Sequence, residues 1–121
     1  MLSLLVPLFV GSALLLVILA VPMIRRRVPQ NDLYGLRVPA TFADEWVWYE
    51  ANARSGLDLL VLGLLLLVMA LTLPLVDLPD WTYALVWSAV AVVGALVMAA
   101  VGWRRANRLL RERQRDSDPT A

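Results

Sequence analysis

The sequence predicts an all-α integral membrane protein: three transmembrane helices plus a short interfacial amphipathic helix in the loop after the first. Three observations predict it. Hydrophobic residues make up 60% of the 121-residue chain, too apolar a composition for an ordinary soluble domain. Apolar runs at about 2–24, 57–76 and 81–103 can each cross a hydrocarbon core of about 30 Å at about 1.5 Å of rise per residue. All eleven basic residues are arginines, and they fall only between the first two runs and after the third.

The first run, Met1 to Ile24, contains Pro7 near its outer end and Pro22 near its inner end, where proline tilts or terminates a helix. Arg25, Arg26 and Arg27 follow the run, whereas a cleavable leader carries its positive charge in front, so a retained span is expected. The second run, Leu57 to Val76, is almost pure Leu and Val. The third, Trp81 to Trp103, has Trp81 and Tyr83 at one end and Trp103 at the other, as aromatic anchors at two lipid–water boundaries would be placed. Asp77, Leu78, Pro79 and Asp80 form a tight acidic turn that makes spans two and three antiparallel neighbours.

Small residues recur along two spans. In span three Ala84, Ser88, Ala91, Ala95, Ala99 and Gly102 share one stripe, and in span two Gly56, Gly63 and Ala70 stand seven apart. Small side chains let backbones approach in lipid, where apolar burial gives no drive for association. The stripes are either packing faces or a plain result of an Ala- and Gly-rich composition. Their partner, another span or a second copy in a homo-oligomer, is not legible from spacing.

Arginines near span ends stay on the cytoplasmic side. The loop carrying Arg25, Arg26, Arg27, Arg37 and Arg54 and the tail carrying Arg104, Arg105, Arg108, Arg111, Arg113 and Arg115 are therefore expected inside, with the amino terminus and the Asp77–Asp80 turn outside. The tail continues span three as a basic helix held to anionic lipid headgroups. Topology already accounts for these arginines, so no nucleic acid is expected as a partner. Residues 1–115 read as one membrane domain and 116–121 as a disordered polar tail.

The segment 28–56 holds the chemical information. Pro29, Asn31, Tyr34 and Gly35 predict a compact turn, and Arg37, Val38 and Pro39 an extended stretch. Thr41 is placed to cap a helix from Phe42 to about Ser55, with Asp44 and Glu45 in its first turn. Phe42, Trp46, Tyr49 and Ala53 fall on one side of that helix; Glu45, Trp48, Asn52 and Ser55 fall on another. The first side is expected to dip toward lipid, with Trp46 as an anchor, and the second to face the Asn31–Arg37 turn. The alternative is that 42–55 is the solvent-exposed helical start of span two.

The run VPQNDLYGLRVPATFADEWVWYEANARSG resembles the signature of the SdpI family of bacterial membrane proteins, through Asn31, Tyr34, Gly35, Arg37, Pro39, Thr41, Trp48, Asn52 and Gly56. The chain looks like a short, three-span form of that family. Its namesake is a larger immunity protein that protects a toxin-producing cell and relays the toxin's presence to a cytoplasmic repressor. The resemblance implies a multi-pass protein of the bacterial inner membrane, acting in toxin immunity or envelope stress, with a peptide toxin or a cytoplasmic regulator as partner.

Chemistry beyond binding has little support. With no Cys and no His, thiolate nucleophiles, Cys/His zinc sites and the usual neutral-pH proton shuttle are excluded. Asp32, Asp44, Glu45, Glu50 and Asp58 form a loose cluster of the kind that is usually solvated charge, so neither metal nor cofactor is expected, and the chain is read as non-enzymatic. Arg37 is singled out, because its rigid fork suits bidentate capture of phosphate or carboxylate. It either binds such an anion, as in a lipid-headgroup or small-solute binding or transport unit, or pairs internally with Glu45, Asp44 or Asp32. Glu50 and Arg54 are expected to pair on the helix surface, and Asp58 to sit at the membrane boundary near Arg54.

Overall fold

The computed structural model describes residues 1–118. Its elements are α1 (Leu2–Ile24), α2 (Pro39–Ala43), α3 (Glu45–Thr72) and α4 (Asp80–Ser117), with a 3₁₀ turn at Leu73–Leu75 leading out of α3. Three helices are long and apolar enough to cross a membrane, and the protein is an all-α, three-span membrane protein. α3 is the central helix: both α1 and α4 pack against it, antiparallel to it, and they touch each other through Phe9 and Trp87.

α1 runs through both of its prolines and stops at Ile24. There the N–H groups of Arg26 and Arg27 return to the carbonyls of Met23 and Pro22, a paired C-terminal cap that normally places glycine in the left-handed region. Arg26 occupies it with φ 56°. Its guanidinium reaches Glu50 of α3 at 2.8 Å, which offsets the backbone cost and ties the end of α1 to α3.

The seven-residue stripe of α3 proves to be the seam with α1. Gly56, Gly63 and Ala70 are all buried. A Cβ at Gly63 would lie 2.9 Å from Val17 Cγ2 and 3.2 Å from the Val17 nitrogen; at Gly56 it would lie 3.0 Å from the Ile24 nitrogen. Backbone rests on backbone, as lipid-embedded helices require.

α4 is held differently. The Tyr83 hydroxyl donates to the Ala70 carbonyl at 3.0 Å and Trp87 Nε1 donates to the Leu66 carbonyl at 2.9 Å. Phe9 of α1 stacks on Trp87 at 4.2 Å and meets Tyr83 edge-on at 5.2 Å, closing an aromatic core at the end of the bundle away from the arginines. Tyr83 is thus buried rather than a boundary anchor, because it lies one helical turn from Trp87 on the face toward α3; Trp81 and Trp103 do point outward. The expected small-residue stripe of α4 is only partly a packing face: Gly102 is buried against Ser55 and Leu36, and Ala84 and Ala91 lie partly buried against the aromatic core. Ser88, Ala95 and Ala99 are exposed, since the bulky residues at 83 and 87 set which face of the helix turns inward.

The stretch 42–55 divides differently from the expected single short helix. Pro39 opens α2, which lasts one turn because Asp44 is extended (φ −151°). Asp44, not Thr41, then caps α3 by accepting the Val47 N–H at 3.2 Å. From Glu45 the helix is continuous with span two, and this start is packed rather than solvated: Val47, Trp48, Ala51 and Asn52 are buried.

α4 continues past Trp103 and lays Ala106 and Leu109 against Val38, Ala40, Val47 and Ala51, a second small core outside the apolar spans. The basic tail is therefore docked on the motif loop. Asp116 and Ser117, read from sequence as tail, are the last residues of α4; residues 119–121 of that tail lie outside the described ones.

Candidate functional site

The signature residues assemble a clamp that fastens the loop to α1 and α3. At its start Asn31 folds the turn on itself: Oδ1 accepts the N–H groups of Leu33 at 2.9 Å and Tyr34 at 2.7 Å, while Nδ2 donates to the Pro29 carbonyl at 2.8 Å. This is the side-chain turn for which Asn is suited. It delivers Tyr34 to α1, where its hydroxyl donates to the Leu19 carbonyl. Burial pushes the phenol pKa up, keeping the donor proton in place.

Gly35 follows with φ 105°, and a Cβ there would meet Asn52 Oδ1 at 2.6 Å. That proximity lets Asn52 reach the next residue. Asn52 Oδ1 accepts the Leu36 N–H, and Nδ2 donates to the carbonyls of Trp48 at 2.9 Å and Leu36 at 3.4 Å. Trp48, fully buried, donates from Nε1 to the Val28 carbonyl at 2.7 Å. Thr41 is also inside: its Oγ1 accepts the Val38 N–H at 3.0 Å and donates to the Val38 carbonyl at 2.8 Å, while Gln30 Nε2 donates to the Thr41 carbonyl. Asn31, Tyr34, Gly35, Trp48 and Asn52 are thus brought together, with Pro39 and Thr41 shaping the exit from the loop.

Arg37 stands apart. It is exposed, and its guanidinium donates to the backbone carbonyl of Asp32. The internal pair with Glu45, Asp44 or Asp32, one of the two readings of this residue, does not form among the described residues. Asp44 pairs with Arg113 at 3.4 Å, and Glu50 pairs with Arg26 and Arg54. Asp58 meets Arg105 of α4 at 3.1 Å rather than Arg54. Trp46, anticipated as a lipid anchor, carries the Arg113 guanidinium over its ring at 5.4 Å.

Sequence reasoning missed Arg105, Arg113, Leu109 and Leu36. The tight turn held the signal for the first three, since residues roughly equidistant from it on antiparallel helices meet. Leu36 takes part through its backbone, which leaves no compositional mark. Ser55 lies on the loop-facing side, as expected, and its Oγ is buried with no hydrogen-bond partner among the described residues. It lines a cleft of about 270 Å³ between α1 and α4, with Leu19, Met23, Tyr34, Leu36 and Met98.

Three lipid-crossing helices and a loop stapled into their charged end define a multi-pass membrane protein organised around a structured loop. The profile of the SdpI/YfhL protein family matches residues 27–103, more than half of the chain. The chain belongs to that family. No curated protein and no solved structure matches it.

Proposed function

We propose that the chain is a non-enzymatic immunity-type protein of the bacterial inner membrane, with the motif loop and carboxyl end in the cytoplasm and the amino terminus outside, serving toxin immunity or envelope stress. One observation carries the reading. The clamp residues spend their hydrogen bonds on the shape of the loop, and the turn they stiffen displays Leu33, 90% exposed, and Arg37. A rigid displayed surface suits recognition of a toxin or a cytoplasmic regulator; a catalytic site would need an activated nucleophile or an acid–base pair. The arginine distribution supports the orientation.

The test is survival of a bacterial strain sensitive to an extracellular peptide toxin. Expression of the chain is expected to protect it, and Leu33→Ala/Arg37→Ala, present in the membrane at equal amount, is expected to lose protection. No protection by the unaltered chain would end the immunity reading; protection by the double variant would end the role of the displayed turn.

A second reading, a lipid-headgroup or small-solute binding unit, is favoured by Arg37 itself, whose exposed guanidinium has no carboxylate among the described residues. Phosphate-bearing material that co-purifies with the chain and is lost in Arg37→Ala would support it.

A further inference from the structure

We propose that the seam between α3 and α4, on the side of α4 that carries Arg104, Arg108 and Arg111, is a binding site for one anionic phospholipid. An acyl chain would lie in the seam, with the phosphate held by Arg104, Arg105, Arg108 and Arg111. The site goes beyond the motif loop and does not depend on it.

The observation is a continuous surface of changing chemistry. An apolar furrow of about 370 Å³ begins between Leu62 and Leu65 of α3 and Ala89, Val90 and Val93 of α4. It shares Leu62, Leu65 and Gly94 with the next stretch, of about 390 Å³, which continues along Val97 and Val101 to Asp58. Val101 also opens a cleft of about 570 Å³ lined by Arg104, Arg105, Asn107, Arg108 and Arg111. Arg105 bridges the two parts by its pair with Asp58. Arg104, Arg108 and Arg111 are exposed and enter no ion pair among the described residues.

Length and charge select the occupant. From Ala89 to Val101 the furrow follows α4 for roughly 18 Å at about 1.5 Å per residue, close to one leaflet's half of an about 30 Å core. A soluble anion would use the arginines and leave the furrow empty. A second copy in the same orientation would set its own arginines against these. A phospholipid with a net negative headgroup satisfies both halves at once, in the manner of basic pockets beside membrane helices.

The experiment uses the full chain purified in detergent and equilibrated with mixed phosphatidylglycerol and phosphatidylcholine, with bound lipid read by native mass spectrometry. The unaltered chain is expected to retain phosphatidylglycerol at least about tenfold over phosphatidylcholine. Arg104→Gln/Arg108→Gln/Arg111→Gln is expected to lose at least about tenfold in that retention, at about 1 kcal/mol or a fivefold change per arginine near the surface. Arg25→Gln/Arg27→Gln/Arg115→Gln, with the same change in charge, is expected to stay within about twofold. Val97→Trp, which fills the furrow from an exposed position, is expected to lose retention with no change in charge; if the arginine triple does not fold by circular dichroism, this variant decides. Equal losses in the two arginine triples, undiminished retention in Val97→Trp, displacement of the lipid by soluble glycerol phosphate, or a lipid-free dimer closed through this seam would each overturn the proposal.

Discussion

Asn52 brackets the backbone of Leu36, accepting its N–H with Oδ1 and donating to its carbonyl with Nδ2. The side chain plays the part a neighbouring strand would play, at a point where the loop has no backbone partner among the described residues. Removing it orphans both polar groups of Leu36 as well as the bond to Trp48. Asn52→Ala is therefore expected to cost roughly 2–4 kcal/mol, at the lower end of about 1–3 kcal/mol for each unpaired group because Leu36 is only partly buried, and to lower the thermal midpoint in detergent. Asn52→Asp keeps the acceptor and loses the donors, so an unchanged midpoint in Asn52→Asp would show the donor bonds to be idle.

Gly35 and Gly11 make a matched pair of tests. At Gly35 a Cβ must enter a backbone with φ 105° and meet Asn52 Oδ1 at 2.6 Å, whereas at Gly11 nothing lies within 4 Å of it. Gly35→Ala is expected to destabilise by about 1–3 kcal/mol. Gly11→Ala, inside α1, is expected to be stabilising by about 0.5–1 kcal/mol. Thermal melts of the two variants decide, and a harmless Gly35→Ala would mean that the loop does not hold its tight approach to Asn52.

Ser55 supplies a prediction of opposite sign. Its hydroxyl is buried and has no partner among the described residues, and replacing such a group with an apolar one removes a desolvation penalty. Ser55→Ala is expected to raise the thermal midpoint, by about 1 kcal/mol in stability, and a fall would show that the hydroxyl holds a partner in the membrane.

The docking of the arginine-rich end of α4 rests on Leu109, only 2% exposed, more than on the half-exposed Arg113 that pairs with Asp44 and lies over Trp46. Surface ion pairs and exposed cation–π contacts give about 0.2–1 kcal/mol each. Burial of a leucine gives about 1.5–3 kcal/mol. Limited trypsin digestion is expected to cut Leu109→Asp rapidly between Arg104 and Arg115 and to cut Arg113→Ala only slightly faster than the unaltered chain. Equal rates in all three would mean that this segment is not docked.

Membrane sidedness can be read directly, because the chain has no cysteine of its own. Single cysteines at Leu33 and Asp77, both exposed, are expected to label with an impermeant maleimide only after lysis and in intact cells, respectively. The reverse pattern would invert the orientation and remove the cytoplasmic role of the loop.

Much of this molecule is legible along the chain. The presence of three apolar spans, the break between the last two before Asp80, the extent of α1 and the opposed faces of Trp46 and Trp48 all follow from hydropathy, helical period and turn chemistry, which are local properties; the limits of α3, which starts at Glu45 and ends at Thr72, do not. The family signature was visible for the same reason, since its residues crowd into one short segment. Only the tertiary structure decided which small-residue stripe is a seam, that Tyr83 faces inward, that Asp58 and Asp44 choose arginines of α4 rather than neighbours, and that Arg37 is left displayed. Those outcomes depend on which residues compete for the same partner once antiparallel helices are side by side. A spacing rule records who shares a face; packing alone determines what that face meets.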